Sequence, residues 1–344
     1  MSKDSSRLNR RDVLRLACLA GLTLAIPLLR LSATNNSGNA PSVFRRSIKA
    51  LGTTVTITVE DELGPVKLQA ATEDAFNEIR RLELQLTRFQ STSPVSHLNQ
   101  MGRVETPARE LFDALHIAEY FYDRTEGVFD ITVKPVLDLL ESYRGSSSLP
   151  SEVEFDAAKR LVDFQSLSIS KDALTLAKPK MGITLDCIGK GYVLDKAAER
   201  LRAYGISSAL IQGGGTVVAI GSRSDGSPWR IGVRDPLDLD ALIGRIDITN
   251  AAVATSGDYE DFFSEDGHLF HIVNPATARS PLYSHSATVM ASTATEADPL
   301  ALTLMVKDPR EGLRLLGNFH GCECLIATRD EGYVQSGGFQ GEVE

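Results

Sequence analysis

Gly182-Ile-Thr-Leu-Asp-Cys-Ile-Gly-Lys-Gly-Tyr-Val-Leu-Asp195 lies near the middle of the chain, and how it is read decides what surrounds it. An apolar, strand-like segment runs into Gly189-Lys190-Gly191. A helix then begins, with Val193, Ala197, Ala198 and Leu201 at helical spacing. Free backbone N–H groups at such a turn, with one cation beside them, are what a phosphate group needs. The same pattern also describes a plain β–turn–α connection with Lys190 in solvent. The rest of the chain decides between the two.

On the N-terminal side, Ile48, Leu51, Val55, Ile57 and Val59 alternate as in a strand or hairpin that bends at Gly52. Residues 66–90 place Leu68, Ala71, Ala75, Ile79, Leu82 and Leu86 three and four apart, the stripe of an amphipathic helix. Phe89 to Asn99 is polar and turn-rich, and Glu110 to Asp123 reads as a second helix. Thr125 to Pro135 is an apolar turn with one carboxylate, Asp130, and residues 141–150 are a Ser/Gly loop. Residues 151–186 hold a short helix and two strands, the second of which delivers the central stretch. Beyond the central helix, strands are expected at Ser208 to Ile220 (broken by Gly213-Gly214-Gly215), Trp229 to Val233, Ile246 to Thr255, Leu269 to Val273, Ser286 to Ala291 and Cys324 to Thr328. Helices are expected at Thr295 to Val306 and Gly312 to Phe319. This alternation, with hairpins in the second half and no internal repeat, indicates the α/β class (mixed α+β), with mixed sheets flanked by helices.

The 344 residues are 42% hydrophobic and 24% charged, enough for a large core in one domain or two intimate subdomains. Net charge is -9, and residues 1–40 carry six Lys/Arg against two Asp/Glu, so the remainder is more acidic still. That balance excludes non-specific nucleic-acid binding, which depends on Lys/Arg neutralising phosphates. Arg10-Arg11 precedes an apolar run from Leu16 to Leu29 and then Ser32-Ala33, the layout of a signal peptide of the twin-arginine type over residues 1–40. Cleavage is expected between Ala33 and Ala40. That leaves residues 41–344 as the working domain, periplasmic, and reaching a membrane only through a partner or an uncleaved signal. Removing Cys18 leaves Cys187, Cys322 and Cys324, an odd set that reads as small buried groups and not as a disulfide framework.

Several short patterns fail their tests. Gly213-Gly214-Gly215 is followed by more strand, so it is no dinucleotide fingerprint. Ser168-x-x-Lys171 lies in an alternating strand without partner motifs, and the six His residues show no zinc spacing. What remains is Lys190, Asp130, Asp258, His271 and Asp298, each beside glycine, proline or a helix start. Each taken alone reads as a polar turn residue. Together they suit a metal-assisted attack on a diphosphate.

Seven motifs in order resemble the FAD:protein FMN transferase (ApbE-type) family. They are Leu51-Gly-Thr, Phe89-x-x-x-Ser-x-x-Ser-x-x-Asn99, Gly127-Val-Phe-Asp-Ile-Thr-Val-Lys-Pro135, Ile188-Gly-Lys-Gly-Tyr with Asp195, Ala254-Thr-Ser-Gly-Asp-Tyr259, His271-Ile-x-x-Pro275 and Ala297-Asp-x-Leu-Ala301. The resemblance covers Ile48 to the end and implies the flavin transferase fold. It also implies an enzyme that splits the diphosphate of FAD with Mg²⁺ and moves FMN onto a Thr or Ser hydroxyl of an acceptor flavoprotein, releasing AMP. Carried over residue by residue, Leu51, Phe89, Val128, Phe129, Asp130 and Thr184 would line the cofactor site, with Lys190 on phosphate and Ile272 packed nearby. Asp298 and the carbonyl oxygen of Cys187 would bind metal, and His271 would be the base.

The chain departs from the family at Thr184 (usually Asp), at Leu302 (usually a Thr metal ligand, here one step from Thr303) and in Asn274-Pro-Ala-Thr-Ala278, where charges are lost. One position along a helix turns a side chain by about 100°, so Thr303 is no substitute for Leu302. The pattern around the centre also resembles the exported branch associated with nitrous oxide reductase maturation. FAD hydrolysis and a non-catalytic FAD carrier are the alternative functions.

Overall fold

The computed structural model describes residues 42–146, 148–264, 266–330 and 332–343, so the expected signal peptide lies outside the described residues. Among them no helix is long and apolar enough to cross a membrane. Strands β1 (Ser42–Ala50) and β2 (Thr53–Asp61) form the expected hairpin. It turns at Leu51-Gly52, both with positive φ, a two-residue geometry that matches strand twist. Helix α1 (Pro65–Leu86) buries the predicted stripe. Helices α2 (Pro94–Met101) and α3 (Arg109–Arg124) follow, with β3 (Arg103–Glu105) between them. Then come α4 (Lys134–Ser142), α5 (Glu152–Lys159), β4 (Leu167–Ile169), β5 (Ala173–Leu176) and α6 (Gly189–Ala203). The second half holds β6 (Ala209–Gly213), β7 (Thr216–Ile220), β8 (Trp229–Arg234), β9 (Leu242–Ile248), β10 (Ala252–Gly257) and β11 (Ser284–Ala291). Helices α7 (Ala294–Val306) and α8 (Pro309–Leu316) and strands β12 (Glu323–Thr328), β13 (Tyr333–Gln335) and β14 (Glu342–Val343) complete it.

Eight strands make the central sheet in the order β1-β2-β6-β7-β10-β11-β12-β13, every neighbouring pair antiparallel. Its inner strands β6, β7, β10, β11 and β12 are buried on both faces, while the edge strands β1 and β13 are largely exposed, and the period of two sorts the inner side chains between two cores. Ala209, Ile211, Val218, Ile220, Ala252, Ala254, Cys324 and Ile326 face the helices α1, α6 and α7. Leu210, Val217, Ala219, Val253, Leu325 and Ala327 face a second sheet, β14-β9-β8, led by Trp229 and Ile231. A third, smaller cluster joins α4 and α5 to Phe263, Leu269 and Val273. Cys322 and Cys324 are buried, and all three described cysteines are free.

Three expectations are corrected. Residues 182–186 form no strand, because the Asn99 side chain takes the place of a neighbouring strand: its Nδ2 donates to Ile183 O at 2.9 Å and Ile183 N donates to its Oδ1 at 2.7 Å. Residues 269–273 likewise form only an isolated bridge at Phe270, whose N–H and carbonyl are both satisfied by the Ser280 hydroxyl at 2.9 Å. Ile246 to Thr255 is two strands in different sheets, split at Asn250, which adopts φ 48° and accepts from Gly221 N. Helices α2 and α4 are additions to the expected elements. Ser93 caps α2 by accepting from Ser96 N, and Pro94 begins it.

Candidate active site

The Gly182–Asp195 stretch and the start of α7 are laced by two carboxylates. Asp195 on α6 accepts from Ala294 N (3.1 Å), Thr295 N (2.8 Å) and the Thr295 hydroxyl (2.6 Å), capping α7. Asp298 on α7 accepts in return from Gly191 N at 2.7 Å and from the Thr216 hydroxyl at 2.6 Å. The helices approach so closely here that a Cβ on Gly191 would stand 2.2 Å from the Ala294 carbonyl oxygen. This contact is why the Gly-Lys-Gly turn needs its second glycine.

The turn opens into a cleft of about 870 Å³ whose wall brings together Leu51, Phe89, Val128, Phe129, Asp130, Thr184, Cys187, Lys190 and His271, together with Leu302. Ile272 is 1% exposed in the main core, behind the wall that its neighbours His271 and Val273 form. Asp298 is buried beneath Lys190 and does not itself line the cleft. Asp258 lies elsewhere: it accepts from Arg329 and is 2.9 Å from His285 Nδ1, at the junction of β10 and β11.

Local chemistry fixes each wall residue. Leu51 is held in its left-handed turn by a 2.6 Å bond from its N–H to Glu83 on α1. A non-glycine residue in that conformation costs on the order of 1–3 kcal/mol. Thr125 ends α3 and aims Phe129 into the wall, its hydroxyl donating to Phe121 O and accepting from Phe129 N at 3.0 Å. Asp130 Oδ1 takes both the N–H and the hydroxyl of Thr132, and burial pushes its carboxyl above the usual range. Thr184 N donates to Ile131 O at 2.8 Å, joining the two walls.

Burial alone would lower the Lys190 ammonium, but Asp298 and Glu260 overcome it and the net push is upward, so the cation is secure. Asp298 moves up because it is buried, against the pull of Lys190 and its two hydrogen bonds. His271 Nδ1 lies 3.1 Å from the Glu260 carbonyl oxygen, which can only accept, so the neutral ring keeps its proton on Nδ1 and leaves Nε2 basic. Burial, with help from Lys190, holds the imidazole below its ordinary value and therefore neutral. The Cys187 thiol is pushed up to about 12 by burial and is no nucleophile. Glu260, Thr216, Glu83 and Arg88 are functional neighbours that no sequence motif singles out. Glu260 acts twice, through its side-chain charge on Lys190 and through its main-chain carbonyl on His271, and the second carries no residue signal.

Among the described residues no three His, Cys, Asp or Glu side chains converge on a metal position. Leu302 faces the cleft, and the Thr303 hydroxyl is committed to Pro299 O at 2.7 Å. Magnesium, however, commonly takes one or two carboxylates and completes its shell with water and substrate phosphates. Asp298 and the Cys187 carbonyl are oxygen donors of that kind, with both Asp298 oxygens shared with hydrogen bonds from Gly191 N and the Thr216 hydroxyl.

A cleft that joins an apolar aromatic wall to a secured lysine and a tautomer-fixed histidine has the layout of an active site in an α/β enzyme. The chain belongs to the ApbE family, whose sequence pattern matches residues 51–326, and it is a transferase. The Haemophilus influenzae protein named FAD:protein FMN transferase is 29% identical over 317 residues, 85% of this chain and 88% of its own. A Treponema pallidum protein of the same name is 26% identical across 87% of this chain and 88% of its own. The solved ApbE protein of Thermotoga maritima superposes with a TM-score of 0.78 at 29% identity, over 86% of this chain and 97% of that one. The flavinyl transferase ApbE of Pseudomonas stutzeri, in its apo form, gives 0.75 at 27% identity, over 86% and 94%.

Proposed function

We propose that the chain binds FAD in this cleft and transfers its FMN half to a Thr or Ser hydroxyl of an acceptor flavoprotein, releasing AMP. The observation that carries the reading is the pairing, in one cleft, of a histidine whose Nδ1 proton leaves Nε2 as the basic nitrogen and a lysine held charged. The His271 Nε2 takes the proton of the acceptor hydroxyl as its oxygen attacks the FMN-side phosphorus. The bond from that phosphorus to the bridging oxygen breaks, and the bridging oxygen leaves with AMP. Lys190 offsets charge on the phosphates, while Phe129 and Val128 exclude water from the flavin. Asp298 and the Cys187 carbonyl would hold Mg²⁺, which would further offset the developing charge.

We further propose export by the twin-arginine route and a periplasmic site of action, supported by Arg10-Arg11 and the apolar run behind them. The acceptor is then an exported or membrane electron-transfer flavoprotein, as in nitrous oxide respiration. Replacing both arginines by lysine should keep the protein in the cytoplasm on cell fractionation.

Incubating the protein with FAD, Mg²⁺ and a candidate acceptor should give an FMN-sized mass addition on threonine. AMP and FMN appearing at the same rate without acceptor would point to hydrolysis instead. Leu302, an apolar side chain on the cleft wall, supports a second reading, a flavin carrier that binds FAD without turnover. Asp298→Asn separates them: transfer should fall below about 1% with FAD still bound if the protein is a transferase, whereas a carrier shows no transfer in either form.

A further inference from the structure

Arg88 enters the cleft wall directly before Phe89. Its Nε donates to Asp186 Oδ2 at 2.7 Å, and its guanidinium stands 4.2 Å over the Phe89 ring. The Arg88 carbonyl also accepts from the Ser96 hydroxyl at 3.0 Å, anchoring the backbone to α2. The side chain is only 19% exposed, deep for a charge whose partners among the described residues are one carboxylate and one ring. With Nε committed to Asp186, the fork still offers its two NH₂ groups. Asp186 directly precedes Cys187, and Arg88 and Lys190 line the same stretch of the cleft wall as these two residues. Two cations therefore flank the start of α6.

We propose that Arg88 is a specificity-determining residue that, together with Lys190, holds the diphosphate of FAD, so that the cleft favours the dinucleotide over uncharged flavin. The proposal rests on the flavin-transfer reading. Asp186 and the Phe89 ring fix the guanidinium plane before the ligand arrives, which reduces the ordering cost of a bidentate phosphate contact. A lysine at this place would supply charge without the fork.

The test is a binding comparison of FAD and riboflavin, read by flavin fluorescence, for wild type, Arg88→Ala, Arg88→Gln, Asp186→Asn and the Arg88→Ala/Asp186→Asn double variant. Losing a charge-assisted hydrogen bond should weaken FAD by about tenfold or more. Riboflavin should stay within about twofold, since it has no phosphate to lose contact with, and its binding also reports that each variant is folded. Asp186→Asn should bind FAD at least as well as wild type, because the guanidinium is then uncommitted.

The double variant decides the role. If Arg88 only neutralises Asp186, removing both restores FAD affinity, and that result overturns the proposal. If Arg88 grips phosphate, the double variant stays weak and its FAD affinity responds less steeply to salt than that of wild type. Equal loss of both ligands in Arg88→Ala and Arg88→Gln would also overturn it. Failure of wild type to bind FAD at all would instead sink the flavin reading, and it is visible before any variant is compared.

Discussion

The Glu260 carbonyl accepts from His271 Nδ1 and so fixes which nitrogen is basic; burial and Lys190 then fix when it is basic. Both depress the imidazole below 6.5, so the base form survives to lower pH than in a free histidine. The acid limb of kcat/KM should accordingly fall below pH 6.5, and a pH–rate profile with its acid limb at or above that value contradicts the assignment. The stability sign is the same. Between the folded value and 6.5 the unfolded chain binds a proton that the folded chain refuses, so stability falls as pH drops through that window. Replacing His271 by Ala should cost transfer about 10²–10⁴-fold while leaving FAD affinity nearly unchanged, measured by single-turnover assay and titration. The histidine and lysine were legible from their motifs. Thr216, which donates to Asp298, was not, because a threonine after three glycines reads as strand continuation until the hairpin at Gly214 turns it toward α7.

Between elements, the contact of α6 with α7 is where the turn motif has its structural meaning. A Cβ at Gly191 meets backbone at 2.2 Å, whereas one at Gly189 meets only the Leu185 Cβ at 3.8 Å. Gly191→Ala should therefore lower stability by about 1–3 kcal/mol in urea unfolding. Gly189→Ala should leave it at or above wild type, since alanine is the better helix former. Equal effects at both positions would contradict the close approach. The stripe of α1 and the alternation of β1 and β2 were legible, because burying apolar atoms imposes its period on the sequence. The failures at 182–186 and 269–273 have one cause: Asn99 and Ser280 satisfy backbone that a strand would otherwise pair, and an apolar run says nothing about its partner. Asn99 serves in the same way as a test. Asn99→Ala leaves the Ile183 N–H and carbonyl without these partners and should loosen the wall carrying Thr184, weakening flavin binding more than His271→Ala does.

At the scale of the molecule, the cleft lies between two packed clusters. Phe129 and Leu86 belong to the core under the large sheet, while Leu137, Phe263 and Val273 belong to the small cluster around α4 and α5. That small cluster is tied across by Arg144, which pairs with Glu141 and Asp261, and by Arg279, which pairs with Glu152 and lies over Phe155. These ion pairs are largely exposed, and such pairs contribute little each, so the small cluster is the part most able to separate on heating. A ligand seated in the cleft touches both clusters and binds only when they are together. Saturation at about 100 times the dissociation constant adds roughly 2.7 kcal/mol to the folded state. In a domain of about 300 residues that corresponds to a rise of about 4 °C in Tm. FAD should therefore raise the midpoint and sharpen the transition in a thermal scan, with riboflavin raising it less. If an early transition stays in place at saturating FAD, the small cluster is not part of the ligand's wall, and His271 and Glu260, which reach the cleft from the segment packed on it, lose their place beside the substrate.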